Sequence, residues 1–329
     1  MKVTEEEIRP EKIFAEYLEL TDKDVKTYFS DSPRVEIPCP ACGGKGKVWA
    51  EKSGFTYKQC DDCITIYVSP RPAREAFDAY YTDSPSTKFW ATTFYKVTEA
   101  ARREKLWKPK AQMIKDTIEC NQSNGKIETL IDIGGGYGVF DEELKKIMDI
   151  NTIIIEPSMH LAQICRDKGL FVIEKFMEDL LPDELPVGRK CFVSFELFEH
   201  LYDPKLFLRN VLDVMQSGDL FVFTTLSGMG IDIQVLGSYA KAISPPHHLN
   251  FLNPKSVTAL LKKVGFDVLE SKTPGKLDTD ILKNNSQFIS DGFWKNYFKY
   301  SGAEEQDNMQ SFIAGSGLSS HMMITCRKP

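Results

Sequence analysis

The stretch Leu130 to Phe140 reads LIDIGGGYGVF. Leu130, Ile131 and Ile133 make an apolar run broken by one acid, Asp132, which is the pattern of a parallel strand buried on both faces. Gly134, Gly136 and Gly138 follow at alternate positions. Without a Cβ they let the turn bring backbone N–H groups close to a ligand. A helical pattern begins at about Val139, so its positive end faces whatever lies over the loop. Strand, glycine loop and helix together read as a nucleotide-type cofactor site.

Spacing narrows the cofactor. The dinucleotide fingerprint G-x-G-x-x-G, started at Gly134, needs a glycine at position 139, which is Val139; Gly138 supplies G-x-G-x-G spacing instead. NAD is therefore disfavoured. No Gly-Lys-Ser/Thr follows the glycines, which excludes a phosphate-cradling P-loop and with it ATP at this position. A second apolar strand, Thr152 to Ile155, ends in Glu156, 24 residues beyond Asp132 and placed to accept hydrogen bonds from both hydroxyls of a ribose. This is the first half of a doubly wound α/β domain.

Three motifs then stand in order: Asp132 through Gly138 (DIGGGYG), Ile155 through Ser158 (IEPS), and Phe195 through Leu201 (FELFEHL) followed by Asp203 and Pro204. On these residues the chain resembles the class I S-adenosylmethionine (SAM)-dependent methyltransferases over roughly residues 125–270. The third motif is similar to the segment after strand four in methyltransferases of the ubiquinone-biosynthesis O-methyltransferase type. The resemblance implies a Rossmann-like, seven-stranded sheet with SAM held by Asp132, Gly134, Gly136, Gly138, Glu156, Pro157 and Phe195. It also implies adenine contacts from Met177 and Glu178, and a methionine carboxylate met by Tyr95 or Arg103.

The chain has 329 residues, enough for a full α/β core plus one or two smaller modules. Net charge is −6 with both signs spread along the sequence, so no basic stripe announces nucleic acid. No apolar stretch approaches the roughly 18–20 residues that span a bilayer, and the N-terminal MKVTEEEIRPEK lacks a signal-peptide core. The expectation is a cytoplasmic protein acting on a small-molecule acceptor, without nucleic-acid or membrane partners. Oligomeric state is not legible.

Four of the eight cysteines fall as Cys39-x-x-Cys42 and Cys60-x-x-Cys63, with 17 residues between the pairs. Paired knuckles at this separation place four thiolates about one Zn²⁺, and Gly43 and Gly44 suit a tight knuckle. Two disulfides are the competing arrangement, which a cytosolic chain would keep reduced. Four thiolates close the coordination shell, so this zinc reads as structural, supplying folding free energy to a module too small to fold alone. Cys120, Cys165, Cys191 and Cys326 stand singly and read as small core residues. The order CPACGG, CDDC, YVSPRP and YY is similar to an N-terminal zinc module attached to methyltransferases of sugar, polysaccharide and other small-molecule pathways.

The expected domains are a helical segment at 1–35, a zinc ribbon at 36–72 and a methyltransferase domain at 86–329 with an insertion at about 276–316. Ser69 to Pro72 reads as a structure breaker, Tyr80 to Pro85 as a loop, 88–119 as one long helix and Asn121 to Lys126 as a turn. Gly169 to Glu174, Cys191 to Phe195, Leu220 to Thr225, Phe266 to Glu270 and Ser319 to Arg327 read as further strands. Asn253-Pro254 begins a helix that runs to Gly265.

Methyl transfer needs alignment of donor and acceptor and removal of a proton from the acceptor. Histidine, which titrates near neutral pH, suits that task. His200 follows strand four; His247 and His248 lie in the stiff run Pro245 to Phe251 (PPHHLNF). Neighbouring side chains of extended backbone point opposite ways, so one of the pair is expected to face the substrate, and His248 is favoured. Glu196, Glu199 and His200 at i, i+3 and i+4 fall near one helical face, and the resemblance implies a divalent cation there. The reading is small-molecule O-methylation, with C- or N-methylation of a nucleotide-linked sugar as the alternative. A non-catalytic SAM-binding or partner-recruiting protein is the alternative of another class.

Overall fold

The computed structural model describes residues 4–122 and 125–329; Ser123 and Asn124, within the expected turn before the first core strand, lie outside the described residues. The strands are β1 (Arg34–Val35), β2 (Gly46–Lys52), β3 (Phe55–Cys60), β4 (Ile66–Val68), β5 (Arg71–Pro72), β6 (Ile127–Ile133), β7 (Asn151–Ile155), β8 (Phe171–Ile173), β9 (Arg189–Phe195), β10 (Leu220–Leu226), β11 (Asn250–Phe251), β12 (Asp267–Lys272) and β13 (His321–Arg327). The chain divides into two compact units. One contains the residues up to Arg102 with Leu226–Val257 and Lys272–Met322; the other contains Arg103–Thr225, Thr258–Ser271 and Met323–Pro329.

The second unit is built on a seven-stranded sheet of order β12-β13-β10-β9-β6-β7-β8. Strands β10, β9, β6, β7 and β8 run parallel, with Ile131 opposite Ile153 on one side and Phe192 on the other. Alternation sends successive residues to opposite faces. Leu130, Cys191, Val193, Leu220 and Val222 join Ala111, Ile114 and Ile118 of the helix Lys108–Cys120 and Phe140 and Leu144 of the helix Val139–Ile147 in one core cluster. In β10, Phe221 and Phe223 alternate with these residues; Phe221 lies against Phe207 and Phe266, and Phe223 against Phe198. Connections from β6 lead to β7 on one side, while β9 lies on the other. The strand order thus reverses at β6 and β9, and the crevice for a ligand opens at their carboxyl ends.

The first unit holds a four-stranded sheet, β11-β4-β3-β2, and the pair β1-β5. Several expectations change here. Arg71 and Pro72, read as breakers, form β5 and pair antiparallel with β1. Tyr80 to Asp83, read as loop, end the helix Arg74–Asp83, because Phe77 and Tyr80, one turn apart, are both buried. Ser84 caps the next helix, Pro85–Phe89, by accepting from the Thr87 N–H. The expected helix at 88–119 is interrupted by π-helical segments at Trp90–Phe94 and Arg103–Trp107. The first of these stacks Trp90 on Phe94 at 4.2 Å, beside Phe14 and Tyr17 of the helix Glu11–Phe29.

The run Pro245 to Phe251 ends in a strand rather than a free loop. Asn250 and Phe251 pair with Tyr67 and Ile66 of β4, so the ribbon's sheet reaches the histidine segment. The insertion is helical, with helices Asp278–Asn284, Gly292–Tyr300 and Ala303–Gly315. Buried Asp278 ties it down, accepting from Ser319 Oγ, the Ser320 N–H and Gln310 Nε2. Of the single cysteines, Cys165, Cys191 and Cys326 are buried, but Cys120, at the end of its helix, is exposed.

Candidate functional site

At the carboxyl end of β6 the three alternate glycines of the loop adopt left-handed backbone: φ is +75° at Gly134, +56° at Gly136 and +65° at Gly138. A Cβ on Gly138 would stand 2.4 Å from Leu170, whereas one on Gly136 would meet nothing within 4 Å, so space lies open above the middle of the loop. Gly138 caps the helix Val139–Ile147, whose positive end faces that space.

Glu156, at the end of β7, is buried and takes two backbone N–H groups: Gly136 at 3.0 Å and Ser158 at 2.9 Å. Burial raises its pKa, and these two donors oppose the rise. Each oxygen keeps a second lone pair for a ligand hydroxyl. Pro157 beside it is exposed and leads into the helix Met159–Asp167, capped by Ser158. After β8, Met177 is buried and Glu178 exposed in one short 3₁₀ turn.

Asp132 is turned beneath the loop, its Oδ2 2.9 Å from where a Cβ on Gly135 would sit. It adjoins Asp141 on the following helix, and both are buried. Burial first, and the neighbouring carboxyl second, hold the Asp132 pKa well above the usual range, while burial pushes Asp141 up to about 6.

Phe195, at the end of β9, faces the core, 4.7 Å from Phe140 and 6.1 Å from Trp107. Glu196 next to it has φ +53°, a left-handed conformation outside any helix, and helical hydrogen bonding is confined to the turn Phe198–His200. Glu196, Glu199 and His200 therefore do not share the helical face that their spacing predicts. The Glu196 carboxylate accepts from Lys110 and Thr224, and buried Glu199 accepts from Thr225 Oγ1 at 2.8 Å. Burial, then the Glu196 charge, raises Glu199 to about 8.

Arg103 is engaged by Glu142 and Glu143 at 2.8 and 2.6 Å. Tyr95 belongs to the first unit, buried near the Arg102 guanidinium. Lys110, which motif reading passed over, donates to Glu196 and Thr224 at this edge. Its signal was spacing: Trp107, Lys110 and Ile114 fall at i, i+3 and i+7 on an otherwise apolar stripe.

The histidine pair in the first unit separates into two environments. His247 is buried, with Nε2 against the hydroxyls of both Tyr17 and Tyr80, the latter at 2.8 Å. Tyr80 in turn meets Ser86, whose N–H donates to Asp24. His248 is half-buried, and its Nδ1 lies 2.6 Å from the Ala242 carbonyl. A carbonyl only accepts, so Nδ1 carries a proton, and in the neutral tautomer the lone pair is on Nε2.

Burial, then the neighbouring His248, lowers the His247 pKa to about 3. The folded value lies below the unfolded one, so this contribution is complete above about pH 6.5 and is lost as pH falls from there toward 3. Stability should drop by about 1 kcal/mol per pH unit over that window. Denaturant unfolding at pH 7.5, 6 and 5 checks it: His247→Gln should show a shallower acid limb than wild type, and equal slopes would refute the assignment.

The four ribbon cysteines place their sulfurs within 4.8 Å of one another. Cys39 and Cys63 stand 3.5 Å apart and Cys42 and Cys60 3.4 Å apart. A tetrahedron of Zn–S bonds has sulfur–sulfur edges of about 3.8 Å, so the donor set fits that ion. The knuckles are matched: Gly43 and Ile64, each following the second cysteine of its pair, both have positive φ, at +86° and +54°.

A switch-point crevice with an open glycine loop and a ribose-type acid defines a nucleotide-cofactor domain of the methyltransferase kind, and the residues fit SAM. A family model described as methyltransferase domain matches residues 97–271, just over half of the chain. The chain belongs to that family and is a SAM-dependent methyltransferase with a Rossmann-like α/β fold. No curated protein matches it by sequence.

Among solved structures it is similar to the plantazolicin methyltransferase BamL in complex with a triazolic desmethylPZN analog and SAH, at 11% identity and TM-score 0.48, covering 76% of this chain and 93% of that one. A SAM-dependent methyltransferase from Archaeoglobus fulgidus is similar at 17% identity and TM-score 0.47, covering 72% and 100%. A possible histamine N-methyltransferase from Thermotoga maritima is similar at 17% identity and TM-score 0.43, covering 72% and 98%. Likeness at this level says nothing about the acceptor. Among the described residues no helix is long and apolar enough to cross a membrane.

Proposed function

We propose that the protein methylates a hydroxyl of a small-molecule acceptor and that His248 takes the acceptor's proton. The observation that supports this is the tautomer: the Ala242 carbonyl accepts from Nδ1, so in the neutral ring the basic nitrogen is Nε2. His247, by contrast, spends Nε2 on two tyrosines and anchors the segment. SAM, when bound, supplies an already activated methyl group. Glu156 would hold its ribose, the loop at Gly134, Gly136 and Gly138, bare of side chains, would let its amino-acid end come close to the backbone, and Met177 and Glu178 would border its adenine. Asp132 supports the loop from beneath, and Pro157 and Phe195 set the walls. Cys39, Cys42, Cys60 and Cys63 would hold a structural Zn²⁺.

C- or N-methylation of a nucleotide-linked sugar is the second reading. It is favoured by the ribbon strand β4 pairing directly with the residues that follow His248, since ribbon-bearing chains of this kind resemble sugar methyltransferases. Mass-spectrometric detection of methyl transfer from SAM to a panel of phenols, catechols and nucleotide-linked sugars separates the two. With the accepted substrate, His248→Gln should lower kcat by about 10²-fold or more while leaving affinity for S-adenosylhomocysteine (SAH) unchanged. Full activity in that variant would remove His248 from the role. A panel with no turnover would favour a non-catalytic SAM-binding protein.

A further inference from the structure

Lys110 stands in the first turn of the helix Lys108–Cys120, only 11% of its side chain exposed. Its ammonium lies 4.6 Å from the ring centre of Phe195 and 4.9 Å from that of Trp107. A lysine drawn between two aromatic faces loses much of its hydration, which the ring quadrupoles and anionic partners must replace. The partner is Glu196: Nζ donates to its Oε1 at 3.2 Å and to Thr224 Oγ1 at 3.4 Å. Thr224 Oγ1 donates to the same Oε1 at 2.8 Å, closing a triangle, and the Glu196 N–H donates to the Thr224 carbonyl at 3.2 Å. Among the acids at this edge, Asp132 and Glu199 also feel the Lys110 charge.

This grip falls on a residue whose backbone needs it. Glu196 has φ +53°, a region that side-chain-bearing residues leave unless their surroundings over-determine them. The next residue converts the turn into a contact: Leu197 Cδ2 lies 3.2 Å from where a Cβ on Gly134 would be, against the first glycine of the donor loop.

We propose that Lys110 is a positioning residue for the methyl donor: by clamping the Glu196 carboxylate it holds a left-handed turn that sets Leu197 against Gly134 and keeps the glycine loop in its binding shape. The proposal rests on the reading of that loop as the donor site. Lys110 acts through Glu196 and Leu197 and need not touch the donor.

Calorimetric titration with SAH of wild type, Lys110→Met, Lys110→Arg, Glu196→Gly and the double variant Lys110→Met/Glu196→Gly tests it, with ligand-free melting curves to verify folding. Glycine occupies positive φ without strain, so Glu196→Gly makes the clamp unnecessary. Lys110→Met should weaken SAH binding about tenfold, the factor that the left-handed region costs an ordinary residue. Lys110→Arg, which keeps the charge, should bind within about threefold of wild type, and the double variant should recover to about the level of Glu196→Gly. Lys110→Met binding like wild type would overturn the proposal. So would a double variant as weak as Lys110→Met, because Lys110 would then act on the donor directly. If Lys110→Met does not fold, Lys110→Gln takes its place in both arms. Wild type that fails to bind SAH removes the donor reading and this proposal together; tight wild-type binding without the rescue removes the proposal alone.

Discussion

Glu156→Ala should weaken binding of SAM and SAH by about two orders of magnitude while leaving the fold intact. The carboxylate organises two backbone donors, Gly136 N–H at 3.0 Å and Ser158 N–H at 2.9 Å, at the point where the loop and the turn after β7 meet. Hydrogen bonds to a charged group contribute about 1.5–3 kcal/mol each, and losing two at the lower end of that range, about 3 kcal/mol, lowers affinity by roughly 100-fold. The variant also removes the proposed acceptor for the ribose hydroxyls, so the loss should fall on the nucleoside and be equal for SAM and SAH. Glu156→Gln keeps a single acceptor oxygen and should fall between, at about tenfold. Titration calorimetry with both ligands decides it. Binding by Glu156→Ala within threefold of wild type would show that the acid serves only the loop's shape.

Local pattern made the donor half of the molecule legible. A parallel strand buried on both faces, alternate glycines and an acid at the end of the next strand each have a short-range physical cause, and LIDIGGGYG carries them within a few residues. The ribbon cysteines were legible for the same reason, since knuckle geometry is written in C-x-x-C spacing. What spacing missed depends on residues far apart in the chain. Tyr80 reads as loop until its hydroxyl is seen against His247, 167 residues later. The segment Pro245 to Phe251 reads as a stiff loop until β4, almost two hundred residues earlier, supplies a strand for it to pair with. The helical spacing of Glu196, Glu199 and His200 misled because it presumes a helix, and Glu196 instead takes left-handed backbone held by Lys110 and Thr224. The same long-range effect divides the histidine pair. Identical residues at adjacent positions differ because Tyr17 and Tyr80 close on one, while the backbone carbonyl of Ala242 orients the other.

On the proposal that Cys39, Cys42, Cys60 and Cys63 hold zinc, its removal should abolish methyl transfer and leave donor binding nearly intact. Without an ion the four sulfurs, within 4.8 Å of one another, lose their common partner, and a structural zinc contributes on the order of 10 kcal/mol to a small module. The consequence extends past the ribbon through its sheet. Tyr57 of β3 donates its hydroxyl to the His248 carbonyl at 2.9 Å, the Val68 N–H donates to the Leu249 carbonyl at 2.9 Å, and Asn250 and Phe251 pair with β4. A loosened ribbon therefore releases the segment that presents His248 and should lower turnover at least 100-fold, the range set by losing a positioned proton acceptor. Glu156 and the three loop glycines belong to the other unit, so SAH affinity should change by less than about threefold, a difference well under 1 kcal/mol. Cys60→Ser, at a buried sulfur, is the cleaner version of chelation, because the hydroxyl is a poor zinc ligand and fills the same space. Zinc content, hydrogen exchange across β2, β3 and β4, turnover and SAH titration on one preparation make the test. The expected set is no zinc, loss of protection in the three strands, loss of turnover and retained SAH binding. Protection and turnover that persist in the zinc-free variant would show that the thiols pack without metal and that the histidine segment is held by the aromatic cluster of Tyr17 and Tyr80 alone.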